Sequence, residues 1–325
     1  MSRALLPLVP LYAAAVRAKN LAYEHGWAAK HRLNHPVISI GNLSIGGSGK
    51  TPLTIRLAEL LREQGIAVDV LSRGYGRQST QVQRVDPEGR AEEYGDEPLL
   101  IARSENIPVY VGADRYAAGL LAESESPAPR LHLLDDGFQH RRLARDLDIV
   151  VLHSTDFATH LLPAGRLREP IASLSRAQTL VLRDEDHGLE SQLRARGFHQ
   201  PIWWMSRRLD VPSCNRVIAF CAVGRPDEFL SGLRVRGVLV AAARAWRDHH
   251  RWSQHDIADL VELQRQHQAD AFLTTEKDLV RLTPEQRQTL EGAASLHAAK
   301  LVVHLVDEPA AVAQMLALRP APLRP

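Results

Sequence analysis

Cysteine is scarce in this chain of 325 residues. Cys214 and Cys221 have neither metal-ligand spacing nor a Cys-x-x-Cys arrangement, which excludes a disulfide framework and a dithiol redox centre. Both read as reduced thiols of a cytosolic body. Charge of one sign is also lacking: 40 Lys and Arg against 38 Asp and Glu leave a formal net of +2. No basic run interleaves with aromatics, so wholesale nucleic-acid binding is excluded. There is no internal repeat and no low-complexity tract, and nothing in the chain calls for an obligate protein partner.

A membrane-spanning hydrophobic run is absent as well. The apolar stretch Ala4 to Val16 would cover about 20 Å as a helix, short of the roughly 30 Å hydrocarbon core. Around it, Arg3, Arg17, Lys19, Lys30 and Arg32 face the single acid Glu24, with Tyr12, Tyr23 and Trp27 as interfacial anchors. This pattern predicts a helix lying on a membrane surface over residues 1–32. A secretory signal, for which the basic n-region is minimal, and a helix packed on the protein's own core are the competing readings.

What is there, first, is a glycine-rich loop. An apolar strand from Val37 runs through Gly41-Asn42-Leu43 into Ser44-Ile45-Gly46-Gly47-Ser48-Gly49-Lys50-Thr51, and a helical segment follows at once. Glycines let backbone N–H groups converge on phosphate oxygens, Lys50 supplies a point charge, and the Thr51 hydroxyl suits Mg²⁺. Ser44 stands where the general pattern has glycine. Pro52 fits the first helical turn, Leu53, Leu57, Leu60 and Leu61 share one face, and Gly65 closes the helix. The next run, Ala67 to Leu71, completes a strand, loop, helix, strand unit.

Further short apolar runs at Ile107 to Val111, Leu131 to Leu134, Ile149 to Leu152 and Leu180 to Leu182 alternate with helical or loop segments. That alternation predicts an α/β fold with a mostly parallel sheet of the phosphate-loop NTPase kind, over residues 33–207. The pattern breaks at Ser206 to Ser213. Runs at Val217 to Val223, Val238 to Ala241, Ala271 to Thr274 and Leu301 to Val306 then predict a second, smaller α/β domain over residues 208–325.

Several polar groups could carry chemistry. Leu131 to Leu134 ends in Asp135-Asp136, acids placed to face Mg²⁺ held by a triphosphate. In Gly95-Asp96-Glu97-Pro98, Asp96 reads equally as a helix cap or as a base taking a proton from an acceptor hydroxyl. Arginines gather at Arg115, at Arg141-Arg142 and at Arg166 to Arg168, and guanidinium groups suit phosphate; Glu169 could add an oxygen ligand for Mg²⁺. Asp248-His249-His250 concentrates ionisable groups after a strand. Thr275-Glu276-Lys277-Asp278 has the wrong order for a guanine-reading motif, and Thr275 reads as a helix cap with Asp278 reaching back.

Taken together, these motifs closely resemble the tetraacyldisaccharide 4′-kinase family, lipid A pathway kinases of Gram-negative bacteria. The residues carrying the resemblance are Gly41 to Pro52, Ser72-Arg73-Gly74-Tyr75-Gly76, Gly95 to Pro98, Asp135-Asp136-Gly137-Phe138-Gln139-His140, Leu162 to Gly165, Arg168-Glu169-Pro170, Asp248 to His250 and Thr275 to Asp278. A small hydroxyl residue at position 44 is usual for that family.

The resemblance implies transfer of the ATP γ-phosphate to the 4′-hydroxyl of a tetraacyl glucosamine disaccharide 1-phosphate, at the cytoplasmic face of the inner membrane. It implies Asp96 as base, assisted by His249 across a domain cleft. Residues 44–51 would hold ATP, with Lys50 acting in catalysis. Thr51, Asp135, Asp136 and Glu169 would form the Mg²⁺ neighbourhood, and Arg115 and Arg168 would contact phosphate groups. Two departures stand out: Arg166 where the family more often has proline, and Ala222-Val223-Gly224-Arg225 where a more glycine-rich turn is expected. Neither is expected to touch the phosphate loop. A phosphate-loop switch or metallochaperone GTPase is the alternative class, and it would prefer GTP. A soluble small-molecule kinase is a third, and it would not need residues 1–30.

Overall fold

Strand-forming and helix-forming runs alternate in the computed structural model, which describes residues 3–47, 49–126 and 128–318. Twelve strands among these residues form one sheet: β1 (Val37–Asn42), β2 (Ala67–Ser72), β3 (Gln83–Arg84), β4 (Val109–Val111), β5 (Arg130–Asp135), β6 (Leu147–Val151), β7 (Thr179–Arg183), β8 (Ile202–Asp210), β9 (Arg216–Cys221), β10 (Leu239–Ala245), β11 (Ala271–Thr275) and β12 (Ser295–Leu305). Their order is β10-β9-β11-β12-β8-β7-β6-β1-β5-β2-β4-β3. Pairing is parallel except for β12 with β8 and β3 with β4. The mostly parallel α/β sheet read from the sequence is therefore the observed one.

β1 lies between β5 and β6, with Ile40 level with Asp135. This register brings the loop after β1 beside the acids that end β5. The helix Lys50–Glu63 follows the loop, and Pro52 sits in its first turn, where an N–H has no intrahelical partner. Leu53, Leu57, Leu60 and Leu61 are buried against Ile38, Ile40, Val68 and Val70. The helix ends at Gln64, and Gly65 follows in the left-handed conformation at φ 73°.

Two strands escaped the sequence pattern. β3 is too short to show a period, and β8 alternates Trp203 and Met205 with half-exposed neighbours before turning polar at Ser206-Arg207-Arg208. β8 runs through residue 207. Its first half pairs with β7 (Leu180↔Ile202 to Arg183↔Met205) and its second with β12 (Leu305↔Met205 to Lys300↔Asp210). β12 begins earlier than predicted, because Ser295–Ala299 pair with β11 before the strand reaches β8. β4 starts after Pro108, which has no N–H to donate.

At the N-terminus a 3-10 turn, Arg3–Leu8, leads into the helix Val9–Glu24, none of whose residues is buried. No helix among the described residues is long and apolar enough to cross a membrane. The helix rests on the body through polar contacts. Tyr12 Oη donates to the Arg168 carbonyl at 3.0 Å, Lys19 Nζ to the Gln139 carbonyl at 2.9 Å, and Asn20 Nδ2 to Glu169 Oε2 at 3.0 Å. Tyr12 thus faces inward, Tyr23 lies under the Arg141 guanidinium, and of the three predicted anchors Trp27 alone is fully exposed.

A buried charge network ties β2 to β5. His132, level with Asp69, approaches its Oδ1 through Nδ1 at 2.6 Å, and Arg130 Nη1 donates to Asp69 Oδ2 at 3.0 Å. Glu123 Oε1 stands 3.4 Å from His132 Nε2. Burial works to lower the imidazole's proton affinity, but the Asp69 and Glu123 carboxylates outweigh it, and the net direction is up. A group with a raised folded-state value stabilises fully below its unfolded value, about 6.5 for histidine, and loses that contribution as pH rises through the folded value. The stability advantage of the wild type over His132→Gln, read as urea midpoints, is therefore expected to be larger at pH 6 than at pH 9. An equal advantage at both would show a neutral ring.

Candidate active site

The loop from Leu43 to Gly49 leaves β1 at the carboxyl edge of the sheet. Gly46 and Gly49 hold φ values of 103° and 88°, where a side chain would be strained. Gly49 is the N-cap of the helix that begins with Lys50 and Thr51, so free N–H groups and the positive end of the helix dipole converge there. Ser44 is buried and bridges to Leu167, and Ile45 N donates to the Arg166 carbonyl at 2.8 Å. Ser48, predicted to share the loop's phosphate contacts, lies outside the described residues.

Lys50 Nζ donates to Asn42 Oδ1 at 3.1 Å and stands 3.5 Å from Asp136 Oδ1. Arg168 grips the same carboxylate with both arms of its guanidinium, Nη1 to Oδ2 at 2.8 Å and Nη2 to Oδ1 at 2.7 Å, and also bonds Asn42 Oδ1. Burial opposes ionisation of Asp136, yet Lys50 and Arg168 hold its carboxyl well below the usual range. Asp135 differs. It is buried, accepts from Thr54 Oγ1 at 3.2 Å, and is pushed up to about 7 by burial, with Asp136 and Glu97 adding to the push. Two adjacent acids thus differ because one meets cations and the other meets a hydroxyl and like charge.

Asp96 is the first residue of the helix Asp96–Arg103. Gly95, at φ 93°, takes the N-cap position. The side chain of Asp96 instead meets His249 Nδ1 through Oδ2 at 2.8 Å. His249 holds a left-handed backbone at φ 61°, seldom adopted by non-glycine residues, and the Tyr75 ring tilts against its imidazole at 5.5 Å. Burial raises the Asp96 carboxyl, but His249, Arg281 and Lys277 together bring it below the ordinary value. The Asp96 hydrogen bond, partly offset by burial, raises the His249 imidazole. Between the two groups, the proton therefore favours the imidazole over the carboxylate.

Arg115 begins the helix Arg115–Glu125 and is buried, with Nη1 on the Ala113 carbonyl at 2.8 Å and Nε without a partner. Burial, with Arg73 adding, pushes its guanidinium down to about 10, and no carboxylate pairs with it among the described residues. Such a cation suits an incoming anion. Glu169 is placed otherwise than the sequence reading expects. Its oxygens accept from Arg176 Nη1 at 2.8 Å, Arg176 Nη2 at 3.1 Å and Asn20 Nδ2, so it faces the N-terminal helix rather than the Asp135-Asp136 pair.

Both departures expected to lie clear of the phosphate loop in fact touch it. Arg166 donates to the Ile45 carbonyl from Nε at 3.2 Å and Nη2 at 3.0 Å, and a Cβ at Gly46 would collide with its guanidinium. A Cβ at Gly224 would come within 3.1 Å of both Gly47 N and Asp248 Oδ2. The reason is non-local. Residues 166–168 pair with 43–45 as an extended segment, and the loops after β9 and β10 fold over the same sheet edge. Asn42, Lys277 and Arg281 were likewise missed as members of the site. Asn42 and Lys277 lay in motifs that sequence inspection singled out, whereas Arg281 did not.

A phosphate loop facing only solvent would hand its phosphate to water. Here a carboxylate–imidazole pair stands on the wall that Gly224 and Asp248 share with the loop, and a phosphate loop walled in this way defines the class of phosphate-loop kinases. The family model for tetraacyldisaccharide-1-P 4′-kinase matches residues 1–319, and the chain belongs to that family. It is 44% identical over 322 residues to the tetraacyldisaccharide 4′-kinase of Koribacter versatilis (strain Ellin345), covering 95% of this chain and 97% of that one. The corresponding enzyme of Geobacter metallireducens is 37% identical over 322 residues, covering 91% and 92%. Among solved structures, LpxK from Aquifex aeolicus in complex with ATP superposes with a TM-score of 0.76 at 32% identity, covering 98% of this chain and 99% of that one.

Proposed function

We propose that this kinase transfers the γ-phosphate of ATP to the 4′-hydroxyl of a tetraacyl glucosamine disaccharide 1-phosphate, a lipid A precursor, at the cytoplasmic face of the bacterial inner membrane. The observation that carries the reading is the Asp96–His249 pair, formed from residues far apart in sequence and set beside the phosphate loop. Asp96 receives the hydroxyl proton and His249 holds the carboxylate in line. Lys50 and residues 44–49 hold the phosphates, Arg168 and Arg115 meet phosphate charge, and closure of residues 208–325 onto 33–207 excludes water.

Mg²⁺ needs few protein ligands, because one or two carboxylates, phosphate oxygens and water satisfy it. Thr51 at the helix start and the Asp135-Asp136 pair beside it fit that need, and no group of three or more His, Cys, Asp or Glu suited to a metal cage occurs among the described residues. Bound there, the ion would neutralise charge on the β- and γ-phosphates. Glu169 contributes by anchoring the N-terminal helix through Asn20 and by fixing the segment that carries Arg168.

Leu5, Leu6, Leu8, Leu11 and Trp27 are exposed on that N-terminal segment, which supports a surface that meets the acyl region of a bilayer. Leu8→Glu with Leu11→Glu is expected to weaken partitioning to anionic vesicles by about a hundredfold or more, since each buried leucine contributes about 1.5 kcal/mol or more. KM for the lipid should rise with it. The function itself is tested by transfer of γ-³²P from ATP to the lipid acceptor in detergent micelles, with GTP and no-lipid controls. Labelled lipid from ATP is the expected result; hydrolysis without labelled lipid would overturn the acceptor.

A further inference from the structure

The motif Thr275-Glu276-Lys277-Asp278 opens the helix Glu276–Arg281, and Thr275 caps it by accepting from Asp278 N, as the sequence suggests. Capping accounts for Thr275 but not for the two cations on this helix. We propose that Lys277 and Arg281 are positioning residues of the phosphoryl transfer, a cationic wall that fixes the Asp96 carboxylate and the His249 ring against each other. The proposal rests on Asp96 being the base.

Four residues apart, Lys277 and Arg281 share a helix face. Arg281 Nε stands 3.5 Å from Asp96 Oδ2, the same oxygen that meets His249 Nδ1. Lys277 Nζ stands 3.4 Å from the other ring nitrogen, Nε2, while it donates to Glu97 Oε1 at 2.7 Å and lies 3.5 Å from Asp248 Oδ1. An ammonium offers donors and no acceptor, so its approach to Nε2 places the proton of a neutral ring on Nδ1, the nitrogen facing Asp96. The pair is thus gripped at both ends, Arg281 at the carboxylate and Lys277 at the far side of the imidazole.

Arg281 is itself held rigidly. Its Nη2 donates to Asp278 Oδ1 at 2.6 Å and to the Ala222 carbonyl at 2.8 Å, and its Nη1 to the His250 carbonyl at 3.2 Å. Asp278, fully buried, accepts from Ala222 N and from Thr275 Oγ1 at 2.6 Å. The same guanidinium therefore reaches the segment whose Gly224 abuts the phosphate loop, the turn that carries His249, and the base. The charged groups facing Asp96 are His249, Arg281 and Lys277; those facing His249 are Asp96, Lys277, Glu97 and Asp248, with the Tyr75 ring alongside. Both cations act to keep Asp96 ionised.

The test uses the full chain in micelles with lipid acceptor and ATP, comparing Lys277→Gln, Arg281→Gln and Asp96→Asn, singly and combined, across the acid limb of the rate profile. Removing a nearby positive charge should lower kcat by about tenfold and move the acid limb up by about half a pH unit, with KM for ATP within about twofold. In the Asp96→Asn background the same substitutions should change the residual rate by less than about twofold, because a group acting through Asp96 has nothing left to act on. Losses of equal size in both backgrounds, or an unmoved acid limb, would overturn the proposal. Wild-type turnover by Asp96→Asn would instead overturn the base reading alone. Should Arg281→Gln unfold, as its melting midpoint would show, Lys277→Gln decides, since that side chain lies at the site's edge and outside the apolar clusters.

Discussion

Asp96→Ala is expected to lower kcat by about 10²- to 10⁴-fold, the range typical of a lost general base, with the Kd for ATP within about twofold. Asp96 begins a helix without serving as its cap, it is held against His249 at 2.8 Å, and the cations around it outweigh the burial that would protonate it. Its side-chain partners, His249 and Arg281, lie outside the phosphate loop, so nucleotide affinity should survive its loss. Single-turnover transfer to the lipid alongside equilibrium dialysis of ATP separates the two quantities. Unchanged turnover would remove Asp96 as the base, and a parallel loss of ATP binding would make it a structural residue.

Lys50→Ala is expected to act in the opposite pattern, reducing kcat/KM for ATP by about 10²- to 10³-fold through loss of charge that stabilises the transferring phosphoryl group. Lys50 lies at the helix start between Asn42 and Asp136, within reach of the cradle that Gly46 and Gly49 open. Asp136 keeps its two-armed contact with Arg168 when Lys50 is gone, so the melting midpoint should move little. A variant that binds and turns over ATP normally would show that the loop does not hold the transferred phosphate. A variant that merely unfolds would show that the lysine's main partner is Asp136.

Sequence by itself determined the parts of this protein whose physics is local. The glycines at 46 and 49, the lysine and threonine after them, Pro52 in the first turn, the leucine face and Gly65 at the end are read within a few residues of one another, because φ preference, capping and the helical period act over that range. The strand ending in Asp135-Asp136 and the Thr275 cap are legible for the same reason. Residue patterns left Asp96 undecided between cap and base, and only family resemblance paired it with His249.

Tertiary structure decided the rest. Gly95 takes the cap and frees Asp96; the separation of 153 positions between Asp96 and His249 is closed by sheet order and the strands β8 and β12; Arg166 and Gly224 arrive at the phosphate loop from distant segments; and Glu169 turns to Arg176 and Asn20. Contacts of this kind depend on which strands pair and in what register, and they carry no period in the chain. The charge state of Asp135 and Asp136 shows it most plainly: two identical neighbours in sequence are driven in opposite directions by what the fold places beside each carboxylate.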